Sequence, residues 1–229
     1  MGAPAADPRG PALRAGLAAL GLQAEDEVAP KLLQHLKLLH RWNQAYNLSA
    51  VRDPQQMLPQ HLLDCLAALP ALDRHLGARA ARILDVGSGA GLPGVVWALM
   101  RPQWSVVCVD AVAKKVSFVR QVMAELGLKN LGAEQARVEA LHAGVFELIA
   151  CRAFASLADF TALTRAHLAA DGCWMAMKGK PPEDEIAALP PWVDVFHVEQ
   201  LQVPGLNAQR CLVWMRPAAS ETGLTSQPN

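Results

Sequence analysis

A chain of 229 residues and 24.6 kDa has room for one substantial α/β domain with an accessory segment, and a 52% apolar fraction is enough for a real core. Its 21 Lys and Arg balance 21 Asp and Glu, which excludes the global positive field of a strongly basic nucleic-acid binder, so any RNA contact has to come from a local patch. Charges or prolines interrupt every apolar stretch before the ~18 residues a membrane span needs, and no basic start precedes an unbroken apolar run, so neither a membrane helix nor a signal peptide is expected and the protein is read as cytoplasmic.

Residues 1–11 and 217–229 are small, polar or proline-rich without periodicity and are expected to form unstructured tails. Between Glu25 and Tyr46, the residues Val28, Leu32, Leu36, Leu39 and Tyr46 share one helical face while Lys31, Lys37, His40 and Arg41 lie off it, the pattern of an amphipathic helix. Asp53-Pro54 reads as an N-cap followed by proline in the first turn of a second helix, which runs through His61, Leu62, Cys65 and Leu66 to a stop near Pro70. Residues 12–76 are therefore expected to be a helical N-terminal segment.

From residue 77 the chain alternates, and 77–216 reads as the main domain. Strands are expected at Arg82 to Val86, Ser105 to Val109, Leu131 to Gln135, Glu147 to Cys151 and Cys173 to Met177, with helices around Val95 to Met100, Lys114 to Leu126 and Leu157 to Ala169. Such alternation gives a parallel sheet with helices on both faces. Two further β-rich runs, Val193 to Leu201 and Cys211 to Met215, are joined too tightly for a crossover helix and suit an antiparallel hairpin. The outline is α/β and Rossmann-like, a seven-stranded sheet ending in an antiparallel hairpin, as in methyltransferases. The five cysteines, odd in number and without a C-x-x-C pair, read as buried thiols in a reducing compartment.

The turn after the first strand, RILDVGSGAGLPG (Arg82 to Gly94), packs four glycines at the mouth of a helix, where a ligand can lie directly on the backbone. Two patterns overlap in it. Gly87, Gly89 and Gly91 give a G-x-G-x-G spacing associated with S-adenosylmethionine, whereas Gly89, Gly91 and Gly94 give the G-x-G-x-x-G of dinucleotide enzymes. Asp85, two residues before the first glycine, tilts the reading toward S-adenosylmethionine: a carboxylate there suits an ammonium or ribose and repels a pyrophosphate.

Ligands of such sheets lie beyond the carboxyl ends of the strands, so the residues there carry the site. Asp110 ends the second strand and could accept both ribose hydroxyls of a nucleoside. Val138 and Glu139 follow the third strand, where a backbone N–H and a carboxylate could read an adenine edge. Arg152, after the fourth strand and among small residues, needs an anionic or carbonyl partner and is read as the catalytic residue in preference to a member of an internal salt bridge. Lys114, Lys115, Arg120, Lys178 and Arg210 could line one rim with positive charge for phosphate contacts. The seven histidines show no metal-ligand spacing, and no metal is expected.

There is no Asn/Asp-Pro-Pro-aromatic motif of the kind that positions an exocyclic amine, and no Pro-Cys dipeptide for covalent attack on a pyrimidine. What remains is transfer to an atom that is already nucleophilic. N(7) of guanine fits, having an in-plane lone pair and no proton to remove, so catalysis would be mainly alignment.

WNQAYNLSAVRDP (Trp42 to Pro54), HLLD (His61 to Asp64), ILDVGSGAGLPG (Ile83 to Gly94), RVEAL (Arg137 to Leu141), CRAFASL (Cys151 to Leu157), MKG (Met177 to Gly179), PEDEI (Pro182 to Ile186) and LQVPGL (Leu201 to Leu206), in this order between Glu25 and Met215, resemble the RsmG/GidB family. These are bacterial methyltransferases that modify N(7) of one guanosine, position 527 by family, in 16S ribosomal RNA. The resemblance implies a class I methyltransferase fold, S-adenosylmethionine as donor, and 16S rRNA in the small ribosomal subunit or its precursor as partner; a monomer is expected. By motif it assigns Gly87 and Leu92 to the glycine-loop contact, Asp110, Ala111 and Val112 to the ribose side, Val138 and Glu139 to adenine, and Arg152 to the site after the fourth strand. Two other readings stay open: an NAD-dependent dehydrogenase, on Gly89, Gly91, Gly94 and Asp110, and a non-catalytic RNA- or ribosome-binding module that keeps the fold.

Overall fold

A computed structural model describes residues 7–219 of the chain. The first third is helical: α1 (Gly10–Ala19), α2 (Val28–Tyr46), α3 (Pro54–Met57), a π-helical turn (Leu58–Leu63), α4 (Asp64–Leu66) and α5 (Leu69–Leu76). Helix α1 begins inside the stretch expected to be a tail. Asp7 accepts from the Arg9 amide at 2.9 Å, and Pro11 sits in the first helical turn, where its missing N–H has no partner to lose. Of the expected tails, residues 1–6 and 220–229 lie outside the described residues, while Pro217 ends the last strand and the Ala218 amide donates to the Trp192 carbonyl at 2.8 Å.

Helix α2 buries Val28, Leu32, Leu36 and Leu39 as its periodicity requires, but Tyr46 is 47% exposed, its ring tilted at 40° against that of Trp42. Asp53 caps α3 as expected, its carboxylate accepting from the Gln55 amide at 2.9 Å. The helix does not stop at Pro70. The chain turns at Ala67 and Ala68, and Pro70 falls in the first turn of α5, a position proline favours.

Seven strands follow: β1 (Ala81–Val86), β2 (Trp104–Asp110), β3 (Leu131–Gln135), β4 (Phe146–Arg152), β5 (Leu168–Lys178), β6 (Val193–Leu201) and β7 (Arg210–Pro217). They form one sheet in the order β3-β2-β1-β4-β5-β7-β6, the first five parallel and β7 inserted antiparallel between β5 and β6. The connecting helices are α6 (Gly94–Met100), α7 (Ala113–Leu126), α8 (Leu157–Thr164) and α9 (Glu183–Ala187). Strand β5 starts at Leu168 and takes the end of the helix expected to reach Ala169, so α8 is correspondingly shorter.

Alternate residues of each strand divide between two cores. Ile83, Cys108, Leu148, Ala150 and Met175 pack with α6, α7 and the N-terminal helices, whereas Leu84, Val86, Ile149, Cys151 and Trp174 pack with α8. Both faces are buried, which is why the parallel strands read as nearly continuous apolar runs. All five cysteines are buried and free. Burial pushes the Cys65 thiol up to about 12 and that of Cys151 further, so neither offers a thiolate at neutral pH. Among the described residues no helix is long and apolar enough to cross a membrane.

Candidate functional site

The carboxyl ends of β1, β2 and β4 open onto one edge of the sheet. There the chain leaves β1 through Gly87, whose amide donates to the Val109 carbonyl at 2.9 Å. Gly87 has φ +67°, and a β-carbon on it would lie 2.6 Å from the Phe154 ring, so the position requires glycine twice over. Two cavities flank this turn, one of about 310 Å³ and one of about 510 Å³. Gly87 and Ala153 line both. Ala153 itself adopts φ +54°, an uncommon conformation for alanine, directly after Arg152.

The smaller cavity is lined by Asp110, Ala111, Lys115, Val138, Glu139 and Phe154 among others. The Asp110 carboxylate accepts from the Gly89 amide at 3.1 Å, the Val112 amide at 2.9 Å and the Lys115 ammonium at 3.3 Å. It is thus both the brace of the glycine turn and a negative group in the cavity wall. Val112 is exposed and contributes its amide to Asp110.

Asp85 is placed differently from the reading that gave it a direct ligand contact. It is fully buried and lines neither cavity; one oxygen accepts from the Gly94 amide at 2.8 Å while the other has no partner. It therefore ties the end of the glycine turn to the start of α6. That bond also counts against the dinucleotide pattern, because the helix N–H of Gly94 is already held by a carboxylate. Gly91 likewise serves packing, facing Val95 and Val119.

Burial pushes the Asp85 carboxyl up from 3.8 to about 7, against the pull of the Gly94 amide and Arg152. The native state then holds a proton that the unfolded chain releases, so this group makes stability fall as pH rises from about 4 to about 7 and adds no further slope above that. Asp85→Asn removes the titration. In urea unfolding, the variant's stability relative to the parent is expected to grow across that window and level off above it; a constant difference would show that the carboxyl titrates normally.

The larger cavity lies between the sheet and the helical segment, which supplies Ser49, Gln60, His61 and Asp64 to its wall. Asp64 is the hub. Its Oδ2 accepts from Arg152 Nη1 at 3.0 Å and its Oδ1 from Arg210 Nε at 2.7 Å, while Arg152 Nη1 also reaches the Gln60 carbonyl at 3.1 Å. Arg152 therefore does belong to an internal ion pair, and it faces the cavity as well. His61 bonds the Ser49 hydroxyl at 2.8 Å, and burial together with the Arg152 charge holds its imidazole down to about 4, so it is neutral at pH 7. Asn43 fixes the Ser49 loop through both main-chain groups of that residue, at 2.8 and 2.9 Å. His35, fully buried on α2, meets the Ala90 carbonyl of the glycine loop at 3.0 Å.

The expected cationic rim is mostly neutralised. Lys115 pairs with Asp110, Lys178 with Glu185 at 2.8 Å, and Arg210 with Asp64. Arg120 donates to the Ala133 carbonyl on β3 and lines neither cavity. Only Lys114 of the five makes no hydrogen bond or ion pair among the described residues, and the five do not form one free phosphate-binding row. Sequence reasoning passed over Ser49, His61 and Asp64 as site residues, although the HLLD motif contains two of them. A still larger cavity, about 940 Å³, lies between α1 and α2, away from the strand ends.

The family model for rRNA small subunit methyltransferase G (GidB) matches residues 28–213. The ribosomal RNA small subunit methyltransferase G of Acidovorax sp. (strain JS42) is 58% identical over 216 residues, covering 91% of this chain and 95% of its own. That of Leptothrix cholodnii is 60% identical over 205 residues, covering 90% and 94%. Among solved structures, an Aquifex aeolicus SAM-dependent methyltransferase aligns with TM-score 0.53 at 17% identity, over 71% of this chain and 93% of its own. The glycopeptide N-methyltransferase MtfA, complexed with S-adenosylmethionine, aligns with TM-score 0.55 at 12% identity, over 68% and 94%. At such identities these two show the shared fold.

Proposed function

The chain belongs to the rRNA small subunit methyltransferase G family, and on that premise we propose that it transfers a methyl group from S-adenosylmethionine to N(7) of the guanine at position 527 of 16S rRNA, in the small subunit or its precursor. The observation that carries this reading is the pair of cavities meeting at Gly87 and Ala153, one with a carboxylate suited to a nucleoside and the other walled by arginines. A bound donor would supply an electrophilic methyl on a sulfonium.

The residues present fit that donor. Asp110 keeps acceptor capacity for ribose hydroxyls, since a carboxylate offers about four lone-pair sites and three are engaged. Lys115 is the longest held of its three donors and the first to yield. Val138 and Glu139 line the same cavity and suit the adenine. Gly87 lines both cavities and offers only backbone to each, so a donor whose ribose lies in one cavity can reach the other past it.

N(7) carries no proton, so the chain's task is to align a lone pair with a methyl carbon, an effect worth up to about 7–11 kcal/mol in well-oriented systems. The neutral His61 and Ser49 form a polar wall beside the target, and Arg152 presents a charge fixed in direction by Asp64.

Calorimetry with S-adenosylhomocysteine and with NAD tests the cofactor half of this proposal. Micromolar S-adenosylhomocysteine binding and none for NAD are expected. Asp110→Ala should weaken the former by about 10- to 100-fold, the worth of hydrogen bonds to a charged acceptor. Binding of NAD alone would overturn the assignment.

A further inference from the structure

We propose that Asp64 is a positioning residue whose single carboxylate fixes Arg152 and Arg210 side by side, leaving their remaining N–H groups as an oxyanion seat in the larger cavity. This rests on the methyl-transfer reading above. The two arginines come from β4 and β7, with β5 between them in the sheet, yet both meet the same buried carboxylate. Arg152 spends only Nη1 on Asp64 and Gln60, and Arg210 spends Nε on Asp64 and Nη1 on the Gln209 carbonyl. Among the described residues, Arg152 Nε and Nη2 and Arg210 Nη2 donate to nothing, and the two side chains keep 21% and 26% exposure where they line the cavity.

Two guanidiniums against one carboxylate leave one net positive charge. A carboxylate buried in this way does little for stability compared with a well-packed apolar residue. Its consequence is geometric: it holds two like charges together at the wall of one cavity. The π-helical turn at Leu58–Leu63 assists by bringing the Gln60 carbonyl, His61 and Asp64 to the same cavity wall. Guanidinium forks match planar or tetrahedral oxyanions, and two are at hand for this reaction: the carboxylate at the amino-acid end of the donor and a phosphate of the RNA.

Asp64→Asn separates this proposal from simple charge counting, which makes the cavity more positive and RNA binding tighter. Positioning instead calls for kcat/KM on small ribosomal subunits to fall by about 100-fold, the scale of a misplaced contact. Weakened S-adenosylhomocysteine binding in calorimetry would locate the seat at the donor carboxylate. A raised KM for subunits with unchanged S-adenosylhomocysteine binding would locate it on RNA phosphate. Combined with Arg210→Gln, the losses should be non-additive, the double variant performing like the worse single one. Asp64→Glu, which keeps a carboxylate, serves if the Asn variant unfolds on heating, and should retain more activity than Asp64→Ala. Turnover and affinity both within about twofold of the parent, or losses that simply add, would overturn the role of Asp64. A parent enzyme that labels no RNA would instead count against the methyl-transfer reading.

Discussion

Arg152→Ala is expected to lower methyl transfer to RNA by about 100- to 1,000-fold, the usual effect of deleting one preorganised charged donor, while leaving a folded protein. The fold should survive because Asp64 keeps its shorter bond, to Arg210 at 2.7 Å, and because the vacated space opens onto a cavity that water can enter. Losing the 3.0 Å bond to Asp64 and the 3.1 Å bond to Gln60 should cost about 1–3 kcal/mol, or a few degrees in Tm for a chain of this size. Arg152→Lys restores the charge without the planar fork and should recover activity only in part. Thermal unfolding and labelled methyl transfer, measured on the same preparations, check both halves. Full turnover by the alanine variant would remove Arg152 from the machinery.

Gly94→Ala is expected to have the largest effect on stability, about 3–5 kcal/mol, and to abolish cofactor binding with it. A β-carbon there would lie 2.5 Å from the Cys108 sulfur and 2.8 Å from Asp85 Oδ2. Both neighbours are buried side chains on central strands and have nowhere to retreat. Overpacking is compounded by loss of the bond from the Gly94 amide to Asp85, which would leave Oδ2 with only the weak Cys108 thiol donor at 3.8 Å while Oδ1 already has no partner. Gly89→Ala is the control. Its φ of +57° strains an alanine by about 1–2 kcal/mol, but nothing lies nearer than 3.9 Å. Urea unfolding of the two variants should therefore separate widely, and near-equal midpoints would mean that the strands beside Gly94 can shift apart.

The sheet was legible because its strands are buried on both faces and stand out as short apolar runs closed by glycine or an acid, as at Val86-Gly87 and Val109-Asp110. The antiparallel end was legible from the short link between its two β-rich runs. Pro54 opens α3 as its preceding Asp53 announces, whereas Pro11 and Pro70 mislead as the ends of a tail and of a helix. Pro11 and Pro70 open helices, since a first turn needs no N–H from them, and their N-cap residues, Arg9 and Ala68, lack the capping side chain that marks Pro54. The start of β5 was hidden for another reason: Ala170 and Asp171 are exposed, so that part of the strand carries no apolar signal.

The proposed cofactor side of the site could be read locally, because Gly87 and Val138 follow strand ends and Asp110 closes one. The substrate side could not. Arg210 meets Asp64 across 146 positions and Arg152 meets it across 88, and no spacing rule links residues that far apart. Charge in the sequence therefore looked free where the folded chain pairs it with a carboxylate, at Lys115, Lys178 and Arg210. The helical segment, read as packing, turns out to be one wall of the cavity.

Labelled methyl transfer from S-adenosylmethionine to small ribosomal subunits from cells lacking the enzyme, followed by mapping of the modified base, tests the central proposal most directly. One methyl group per subunit, at N(7) of the single guanine named above, is the expected result. Donor bound in the cleft with no methyl reaching RNA, or a methyl on a different atom or base, would contradict it.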